Sequence, residues 1–371
     1  MIIAYYTDQV YLHGGIEKVL AQKLNYLSDI ASNSVYLITS EQKGNPFCYP
    51  ISDKVIHIDL DINYDRSVSY FSGVNLSKLP KHIFRLRKQL NIIKPDVLVV
   101  CNYAFDFYFI PFISSDVKTI KEFHSSRYNY KTIFRNASFS NRVIYYLNSI
   151  VERKYDHLVV LNKDEKQFYN SKNVVVIPNA ALEINKNDNL ERKNIIIAAG
   201  RIAQVKQFDH LIKAWSLLAK NYLDWEVHIY GGGDEAMASQ LKQMIVDFGL
   251  DNIHLKGVTS NLSSKMQEAS IYALNSLTEC FPMVLLEALS SGIPVVSYDC
   301  PNGPRNILTA AEDGLLVAPN NIDEFAQALE VLINDKHKRV AMSALGKQNV
   351  QRFNEKSVMT EWLNLFGKQK I

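Results

Sequence analysis

Short apolar runs alternate with longer segments in which apolar residues recur every three or four positions. The short runs predict β-strands, and the longer segments predict amphipathic helices. In the second half of the chain the predicted strands cover residues 195–199, 226–230, 252–256, 271–275, 293–298 and 314–318. One intervening segment carries Leu211, Ile212, Trp215, Leu218 and Ala219 at helical spacing. This alternation is typical of a parallel sheet that is covered by helices on both faces.

The first half of the chain repeats the alternation less regularly. Its predicted strands cover residues 2–6, 55–60, 96–102, 119–123, 157–161 and 174–177. The segment 179–194 is polar, has no sustained periodicity and is typical of a surface linker. The pattern therefore predicts an α/β protein with two Rossmann-like domains, residues 1–180 and 181–354, that face a cleft. Residues 355–371 include a predicted helix with Val358, Trp362, Leu365 and Phe366 on one face, which leaves open a return onto the first domain.

Length and composition agree with this organisation. A chain of 371 residues suits two cores, and 47% hydrophobic with 21% charged residues is typical of a globular protein. No apolar run approaches the ~18 residues that a membrane span needs, and the N-terminus lacks the features of a signal peptide. Cys48, Cys101, Cys280 and Cys300 are scattered, without a paired motif or a histidine at metal-ligand spacing. We expect a cytoplasmic protein with reduced thiols and no metal site.

The net charge of +3 is unevenly distributed, because the first 180 residues are basic and the remainder is acidic. Between residues 76 and 90, leucines and an isoleucine recur at helical spacing among Lys and Arg residues. Such a segment could lie on an anionic membrane surface or contact a lipid diphosphate acceptor. Core packing with a solvated basic face explains it at least as well. The aromatic residues within 102–112 leave a similar choice between an acceptor groove and a core element, and core packing is favoured.

Gly200, Arg201 and Lys206 follow the first predicted strand of the second domain, where a strand feeds a helix. A pyrophosphate would find two cations there, together with the unsatisfied amides of a helix N-terminus. An Arg and a Lys on a loop are more often simply solvated, so these residues alone do not identify a site.

A second candidate is the carboxylate pair Glu279 and Glu287, with Pro282 at the expected start of a helix between them. One carboxylate could accept the hydroxyls of a sugar and the other those of a ribose. Glu183 and Glu191 have the same spacing, and we assign them no function because they lie in the polar linker. Only the sequence context distinguishes the first pair.

That context consists of several motifs in a fixed order. GRIAQVKQFDHLIKAW is followed by VHIYGGGDE, by the segment from Glu279 to Glu287, by YDCPNGPRNIL and by EDGLLVAPNN. In these motifs the chain resembles glycosyltransferase family four, the retaining GT-B enzymes among the glycosyl transferases group one. The resemblance covers most of the second domain, and it implies a nucleotide-sugar donor bound there and an acceptor bound by the first domain.

The resemblance also implies roles for individual residues. Arg201 and Lys206 would hold the donor diphosphate, Glu279 would contact the transferred sugar, and Glu287 would bind the ribose. Further donor contacts would come from Gly231 and Gly232, from Val258 near the base, and from Phe281, Pro282, Met283 and Val284. The family often has Gly where this chain has Cys280, which would be strained if the backbone there has positive φ.

Two features of the first domain match the same family. Gly14 and Gly15 precede an amphipathic helix and resemble the glycine loop beneath the donor phosphates, although an ordinary turn before a helix has the same sequence. His124 closes a predicted strand, at the position where the family places a histidine near the reaction centre. A lone histidine in this position is otherwise a surface or core residue.

The resulting hypothesis is a retaining, metal-independent hexosyltransferase without a cofactor. It would move a hexose or N-acetylhexosamine from a nucleotide sugar, such as a UDP sugar, to a glycan or lipid-linked acceptor in polysaccharide biosynthesis. His124, Glu279, Arg201 and Lys206 would be catalytic, and stabilisation of the departing diphosphate would be the main task. No first-domain carboxylate stands out as a nucleophile, which favours front-face displacement. We expect no nucleic-acid partner, and peripheral contact with the inner face of the cell membrane is compatible with the sequence.

Two alternatives remain at this stage. One is a GT-B fold epimerase or phosphorylase, because a fold does not determine an activity. The other is a non-catalytic nucleotide-sugar-binding partner of another glycosyltransferase.

Overall fold

A computed structural model describes residues 1–101, 104–114, 116–128, 139–182, 184 and 191–367. The chain divides into two compact units, which are described separately below. The first unit comprises Met1–Pro178 and Val358–Ile371, and the second comprises Asn179–Ser357. The last segment of the sequence therefore belongs to the same unit as the first.

The first unit is built on a seven-stranded parallel sheet with the strand order β3-β2-β1-β4-β5-β6-β7. The strands are β1 Ile2–Thr7, β2 Ser34–Thr39, β3 Ile56–Asp59, β4 Val97–Val100, β5 Lys118–Glu122, β6 His157–Val160 and β7 Val174–Val176. Six of them match predicted strands to within a few residues. The sequence analysis missed β2, which pairs with β1 in the middle of the sheet.

The helices of the first unit pack their apolar faces on this sheet. The described helices are Gly15–Asp29, Gly73–Leu76, Leu79–Ile93, Asp106–Ile113, Phe139–Glu152, Lys163–Lys166 and Glu355–Phe366. The first three residues of the last helix still belong to the second unit. In the last helix Val358, Trp362 and Phe366 are buried, and the Lys118 ammonium donates a hydrogen bond to the carbonyl of Leu365. This helix is thus anchored to the unit that contains the N-terminus.

The basic amphipathic segment forms the helix Leu79–Ile93, which buries Leu86, Leu90 and Ile93 in the core of the first unit. Arg87 and Lys88 are exposed on its outer face. Core packing with a solvated basic face accounts for this pattern. The helix Asp106–Ile113 likewise places Phe107 and Ile110 in the core, while Asn102 and Tyr103 of the aromatic run lie outside the described residues.

The second unit contains a six-stranded parallel sheet with the order β10-β9-β8-β11-β12-β13. Its strands are β8 Ile195–Ala199, β9 Glu226–Tyr230, β10 Ile253–Gly257, β11 Ile271–Leu274, β12 Val295–Tyr298 and β13 Gly314–Val317. Every one of them lies within or within one residue of a predicted strand. The main described helices are Phe208–Ser216, Glu235–Asp247, Leu262–Glu268, Met283–Ser290, Ile322–Asn334 and Lys336–Asn349.

The core of the second unit forms where helices cover the sheet. Leu211, Ile212 and Trp215 of the helix Phe208–Ser216 are fully buried against strand residues such as Val227. Burial of each side chain of this size contributes roughly 2 kcal/mol relative to an exposed position. Because all strands run parallel, the carboxyl ends of β8, β9, β10 and β11 lie at one edge of the sheet, and the candidate residues of this unit follow those ends.

The linker is only partly described, since Glu183 and residues 185–190 lie outside the described residues. At its start the Ala181 amide donates a hydrogen bond to the carbonyl of Phe353. Among the described parts of the chain, no helix is long and apolar enough to cross a membrane.

Candidate active site

The loops that follow β8 and β9 are joined by backbone hydrogen bonds. The Gly200 amide donates to Tyr230 O over 3.0 Å, the Ile202 amide donates to Gly232 O over 2.8 Å, and the Asp234 amide donates back to Ile202 O over 3.0 Å. These bonds extend the parallel sheet beyond the strand ends. The structure thus brings the Arg201 loop and the glycine loop side by side. Both loops contain residues that the sequence analysis assigned to donor binding.

Close backbone packing explains why glycines occupy this loop. Gly231 has a φ of +154°, and a Cβ there would lie 1.8 Å from Gly200 O. Gly233 has a φ of +151°, and a Cβ would lie 2.4 Å from Ile202 O. A Cβ on Gly232 would lie 2.8 Å from Cγ2 of Val258, whose side chain is 79% exposed. The predicted donor-binding residues Gly231, Gly232 and Val258 are therefore neighbours on this surface.

The central ionic contact of the site joins Lys206 and Glu279. Lys206 Nζ lies 2.6 Å from Glu279 Oε1, and the two side chains are only 20% and 13% exposed. The stem of Lys206 packs over Gly200, and the Leu277 amide donates a hydrogen bond to Val205 O over 2.8 Å. The predicted phosphate cation and the predicted sugar-binding carboxylate thus form a direct pair, although 73 residues separate them in sequence.

A third loop, which follows β12, closes around Glu279. A Cβ on Gly303 would lie 2.5 Å from the Cβ of Glu279, so only glycine fits there. Burial raises the pKa of the nearby Cys300 thiol well above its usual range, and the Glu279 carboxylate adds to this effect. Cys300 is therefore a neutral thiol in the wall of the site. The sequence analysis did not single out Gly303 or Cys300.

Cys280 occupies a buried position beside this pair. Its backbone is not among the non-glycine residues with positive φ. Since an L residue is strained only in that region, the cysteine fits here without the strain that the comparison with the family's glycine implied.

The helix Met283–Ser290 begins directly after Pro282, and no side chain caps its N-terminus. The helix Phe208–Ser216, which follows Lys206, also lacks a side-chain cap. By contrast, four other helices of this unit have a side-chain cap, and the capping residues are Asp234, Asn261, Asn321 and Asp335. The two helices beside the Lys206–Glu279 pair thus leave their first-turn amides without a side-chain acceptor, which favours the binding of an anion.

Neighbouring residues fix the start of the helix Met283–Ser290. Phe281 is buried edge-on against Phe353, with 5.4 Å between the ring centroids. Met283 and Val284 are half-buried in the first turn, and Glu287 is 4% exposed one turn further on. In the preceding loop, the hydroxyl oxygens of Ser276 and Thr278 are buried without a hydrogen-bond partner among the described residues. This loop therefore has polar groups that remain available to a ligand.

In the first unit, His124 follows the end of β5. Its Nε2 lies 3.4 Å from Oε1 of Glu122, which is 1% exposed and forms an ion pair with Lys23. Burial acts to raise the pKa of Glu122, but the Lys23 ammonium and His124 outweigh burial and hold that pKa well below its usual range. Glu122 is thus a carboxylate that lies beside the Nε2 edge of the His124 ring.

Lys23 links this carboxylate to the C-terminal helix. Its Nζ lies 4.1 Å from the centroid of the Trp362 ring, and Trp362 is fully buried. A chain of contacts therefore runs from Trp362 through Lys23 and Glu122 to His124. All four residues belong to the first unit.

Gly14 and Gly15 begin the helix Gly15–Asp29, and no side chain caps this N-terminus either. A Cβ on Gly14 would lie 2.4 Å from Oε2 of Glu17, whereas a Cβ on Gly15 would meet nothing within 4 Å. Gln9 donates a hydrogen bond to Glu17 over 2.7 Å. Burial raises the pKa of Glu17, and a charge on the His124 ring acts to lower it. The glycine pair thus begins a helix whose first turn carries a half-buried carboxylate.

Sequence reasoning missed Glu122 and Lys23. The sequence of β5 is KTIKE, in which only Ile120 is apolar, so the local pattern gives no sign that Glu122 is buried and paired. Sequence reasoning also missed that Cys101, Glu122 and His124 place their ligating atoms within 4.8 Å of one another. No histidine lies at metal-ligand spacing beside a cysteine in the sequence, but spacing along one chain segment does not show contacts between the neighbouring strands β4 and β5.

Residues 179–349 match the family Glycosyl transferases group 1, and this range covers nearly all of the second unit. The predicted resemblance to GT-B glycosyltransferases is confirmed.

Related sequences extend the match over the whole chain. The chain is 28% identical to an uncharacterized glycosyltransferase of Haemophilus influenzae over 97% of this chain and 98% of that protein. It is 26% identical to the lipopolysaccharide 1,6-galactosyltransferase of Salmonella typhimurium over 91% of both chains. It is also 25% identical to the poly(glycerol-phosphate) alpha-glucosyltransferase of Bacillus subtilis, although the match spans only 38% of that protein.

Solved structures confirm the predicted fold class. TarM superposes with a TM-score of 0.81 over 99% of both chains at 14% identity. The Anabaena protein HepE, solved in complex with UDP-glucose, superposes with a TM-score of 0.76 over 98% of this chain and 99% of that chain, also at 14% identity. The α/β fold with two parallel sheets is that of the GT-B glycosyltransferases.

Proposed function

We propose that the protein is a retaining glycosyltransferase that moves a hexose or N-acetylhexosamine from a UDP sugar to a glycan or lipid-linked acceptor. The observation that carries this proposal is the Lys206–Glu279 pair, which lies between a glycine loop and an uncapped helix N-terminus. Relatives named for galactosyl and glucosyl transfer, and a structural neighbour that holds UDP-glucose, support the choice of donor class.

The donor diphosphate would bind where positive charge and amide groups converge. Arg201 is exposed beside the glycine loop, and Lys206 already has one carboxylate partner in Glu279. A diphosphate would share Lys206 with Glu279 and accept hydrogen bonds from the first-turn amides of Met283 and Val284. Charge-assisted hydrogen bonds of this kind are the strongest polar contacts that a protein can offer to phosphate.

The rest of the donor would extend along the same strand ends. Glu279 would accept hydroxyl protons of the transferred sugar, next to Phe281 and Pro282, while the buried carboxylate of Glu287 would bind the ribose. Gly231 and Gly232 would allow the nucleotide to approach the backbone closely, with Val258 against the base. Because each of these residues already has a fixed neighbour in the fold, the site would need little rearrangement on binding.

Transfer would depend on the stabilisation of the departing diphosphate by Arg201, Lys206 and the helix amides, without a metal ion. We propose a front-face displacement in which the leaving phosphate accepts the proton of the acceptor hydroxyl. Glu122 is 1% exposed and paired with Lys23, so it is out of reach as a nucleophile. His124, held by Glu122, would instead contact the sugar, and Gly14 and Gly15 would lie near the phosphates.

The biological setting proposed here is the assembly of a polysaccharide on the cytoplasmic side of the cell membrane, with a glycan or lipid-linked acceptor bound by the first unit. The relatives named for lipopolysaccharide and glycerol-phosphate polymers support this setting. Peripheral contact with anionic lipid would use the exposed basic residues of the helix Leu79–Ile93, such as Arg87 and Lys88.

The test is to incubate the purified protein with a panel of nucleotide sugars and glycan or lipid-linked acceptors, and to measure nucleoside diphosphate release and donor binding. We expect release with one UDP sugar, accelerated by an acceptor, and a product with the donor's anomeric configuration. Release of free sugar phosphate would indicate a phosphorylase, and interconversion of the sugar would indicate an epimerase. Binding of a donor without release, whatever the acceptor, would contradict the proposal and indicate a non-catalytic partner.

A further inference from the structure

Three metal-ligating side chains meet on the sheet of the second unit, in a place that the proposed transfer does not use. Glu226 and His228 are two residues apart on β9, so they point to the same face of the sheet. His254 on β10 is the register partner of His228. Two neighbouring strands of a regular sheet therefore hold one carboxylate and two imidazoles together. Since β10 is an edge strand, this face borders on solvent.

The donor atoms are already close to the spacing that a metal requires. His228 Nε2 lies 2.6 Å and His254 Nε2 lies 3.6 Å from Oε2 of Glu226. The three ligating atoms all lie within 4.8 Å of one another. In tetrahedral zinc with bonds of ~2.0–2.1 Å, neighbouring ligand atoms lie about 3.3 Å apart. Small side-chain rotations are enough to reach this geometry.

The cluster is also accessible from solvent. The Glu226 and His254 side chains are 49% and 38% exposed, so an ion can enter.

We propose that Glu226, His228 and His254 bind one Zn²⁺ ion. Two histidines and one glutamate form a ligand set that zinc uses in proteins, with the fourth position left to water. The ion would join the edge strand β10 to β9 and stabilise this side of the sheet.

The other candidate cluster is less suited to the same ion. Glu122 is committed to an ion pair with Lys23, which would have to be broken in a buried place. Burial raises the pKa of the Cys101 thiol well above its usual range, so the sulfur is not a thiolate. His124 of that cluster therefore serves as an internal control. Substitution of His124 tests whether zinc binds at the surface cluster or at the buried one.

The experiment is a calorimetric titration of the full-length protein with ZnCl₂ near neutral pH in a buffer that does not chelate metal, combined with thermal unfolding. We expect one equivalent of tightly bound Zn²⁺ and a raised Tm in its presence. His228→Gln, His254→Gln and Glu226→Gln should each weaken binding by about tenfold or more. His337→Gln, at an exposed position of the helix Lys336–Asn349, and His124→Gln should bind Zn²⁺ as the unaltered protein does.

Binding that survives in both His228→Gln and His254→Gln, or that is lost only in His124→Gln, would overturn the proposal. So would the absence of saturable binding in the unaltered protein. Because His254 is exposed at the sheet edge, His254→Gln should fold normally, and circular dichroism of each variant identifies any that does not. None of these outcomes depends on transferase activity, so the zinc proposal stands or falls independently of the proposed function.

Discussion

At the scale of single residues, Lys206 and Glu279 determine the character of the site. Each is mostly buried, and each satisfies the charge of the other before any ligand arrives. A buried cation held by one carboxylate can accept a second anion at little further cost, because part of its desolvation has already occurred on folding. Glu279 then remains available to the hydroxyls of a sugar.

Glu279→Gln keeps the size of the side chain but removes the charged acceptor. If this carboxylate binds sugar hydroxyls, kcat/KM for the preferred donor should fall by about 10- to 100-fold, which corresponds to the loss of a charge-assisted hydrogen bond. The loss should be smaller for a donor that lacks the contacted hydroxyl. Glu268→Gln, which removes a surface partner of Lys193 and Lys265, is the control and should leave kcat/KM unchanged. Equal kinetics for the two variants would exclude a role of Glu279 in sugar binding.

Lys23→Met should destabilise the first unit by about 3–5 kcal/mol, because it leaves the Glu122 carboxylate buried without its partner. Chemical denaturation measures this change. Lys54→Met breaks the exposed pair with Asp29 and should change the free energy of unfolding by less than about 1 kcal/mol. Adding Glu122→Gln to Lys23→Met should recover part of the loss. A Lys23→Met protein as stable as the Lys54→Met protein would show that the buried pair contributes little.

Family motifs pointed to Arg201, Lys206, Glu279 and the glycine loop as candidate residues. The structure brings these residues together. Glu122, Lys23 and Gly303 were missed because their roles depend on contacts between distant segments. No local spacing contains that information.

At the scale of elements, the site is made by loops that leave neighbouring strands at the same edge of a parallel sheet. The strands of the second unit were predictable because each is a short apolar run between helical segments. β2 was missed in the first unit, where Ser34–Thr39 follows the end of a helix after a turn of only four residues. The order of the strands was not predictable, since it depends on which edges pair and not on local pattern.

Gly231→Ala should disrupt the junction of the β8 and β9 loops. The added Cβ would overlap Gly200 O at a backbone conformation that L residues rarely adopt, and the neighbour is backbone that cannot rotate away. We expect a loss of several kcal/mol in stability together with a loss of donor binding. Gly15→Ala has open space and serves as the control, with a stability close to that of the unaltered protein. Thermal unfolding compares the two, and an equally stable Gly231→Ala protein would contradict the packing argument.

At the scale of the whole molecule, two α/β units of similar design share one chain. The alternation of apolar runs and helical segments predicted a parallel sheet in each unit. The ordered motifs of the second unit carried the resemblance to the GT-B class. The second unit also matches a family over residues 179–349, whereas the first is recognised through its fold and its full-length relatives. The motifs of the second unit are therefore easier to recognise in this chain than any motif of the first unit.

Stability should fall in mild acid, partly through His82. Burial lowers the pKa of His82 to about 3, and the ring lies between the hydroxyls of Tyr6 and Tyr64. The unfolded chain binds a proton near the ordinary histidine pKa of about 6.5, whereas the folded chain does not. Stability from this residue is therefore complete above that value and is lost as pH falls toward 3. Denaturation curves across this range should show a shallower pH dependence for His82→Gln, and an unchanged slope would contradict this assignment.

The central claim is that the second unit stabilises the diphosphate that leaves a nucleotide sugar. The most direct test is the rate of nucleoside diphosphate release by Lys206→Ala at saturating donor, with Lys213→Ala as the control, since Lys213 pairs with Asp209 on a helix surface. The account predicts that kcat falls by about 10²-fold or more in Lys206→Ala and stays unchanged in Lys213→Ala. An unchanged kcat with a raised KM in Lys206→Ala would show that the lysine binds the donor without acting on the transition state, and would contradict the account.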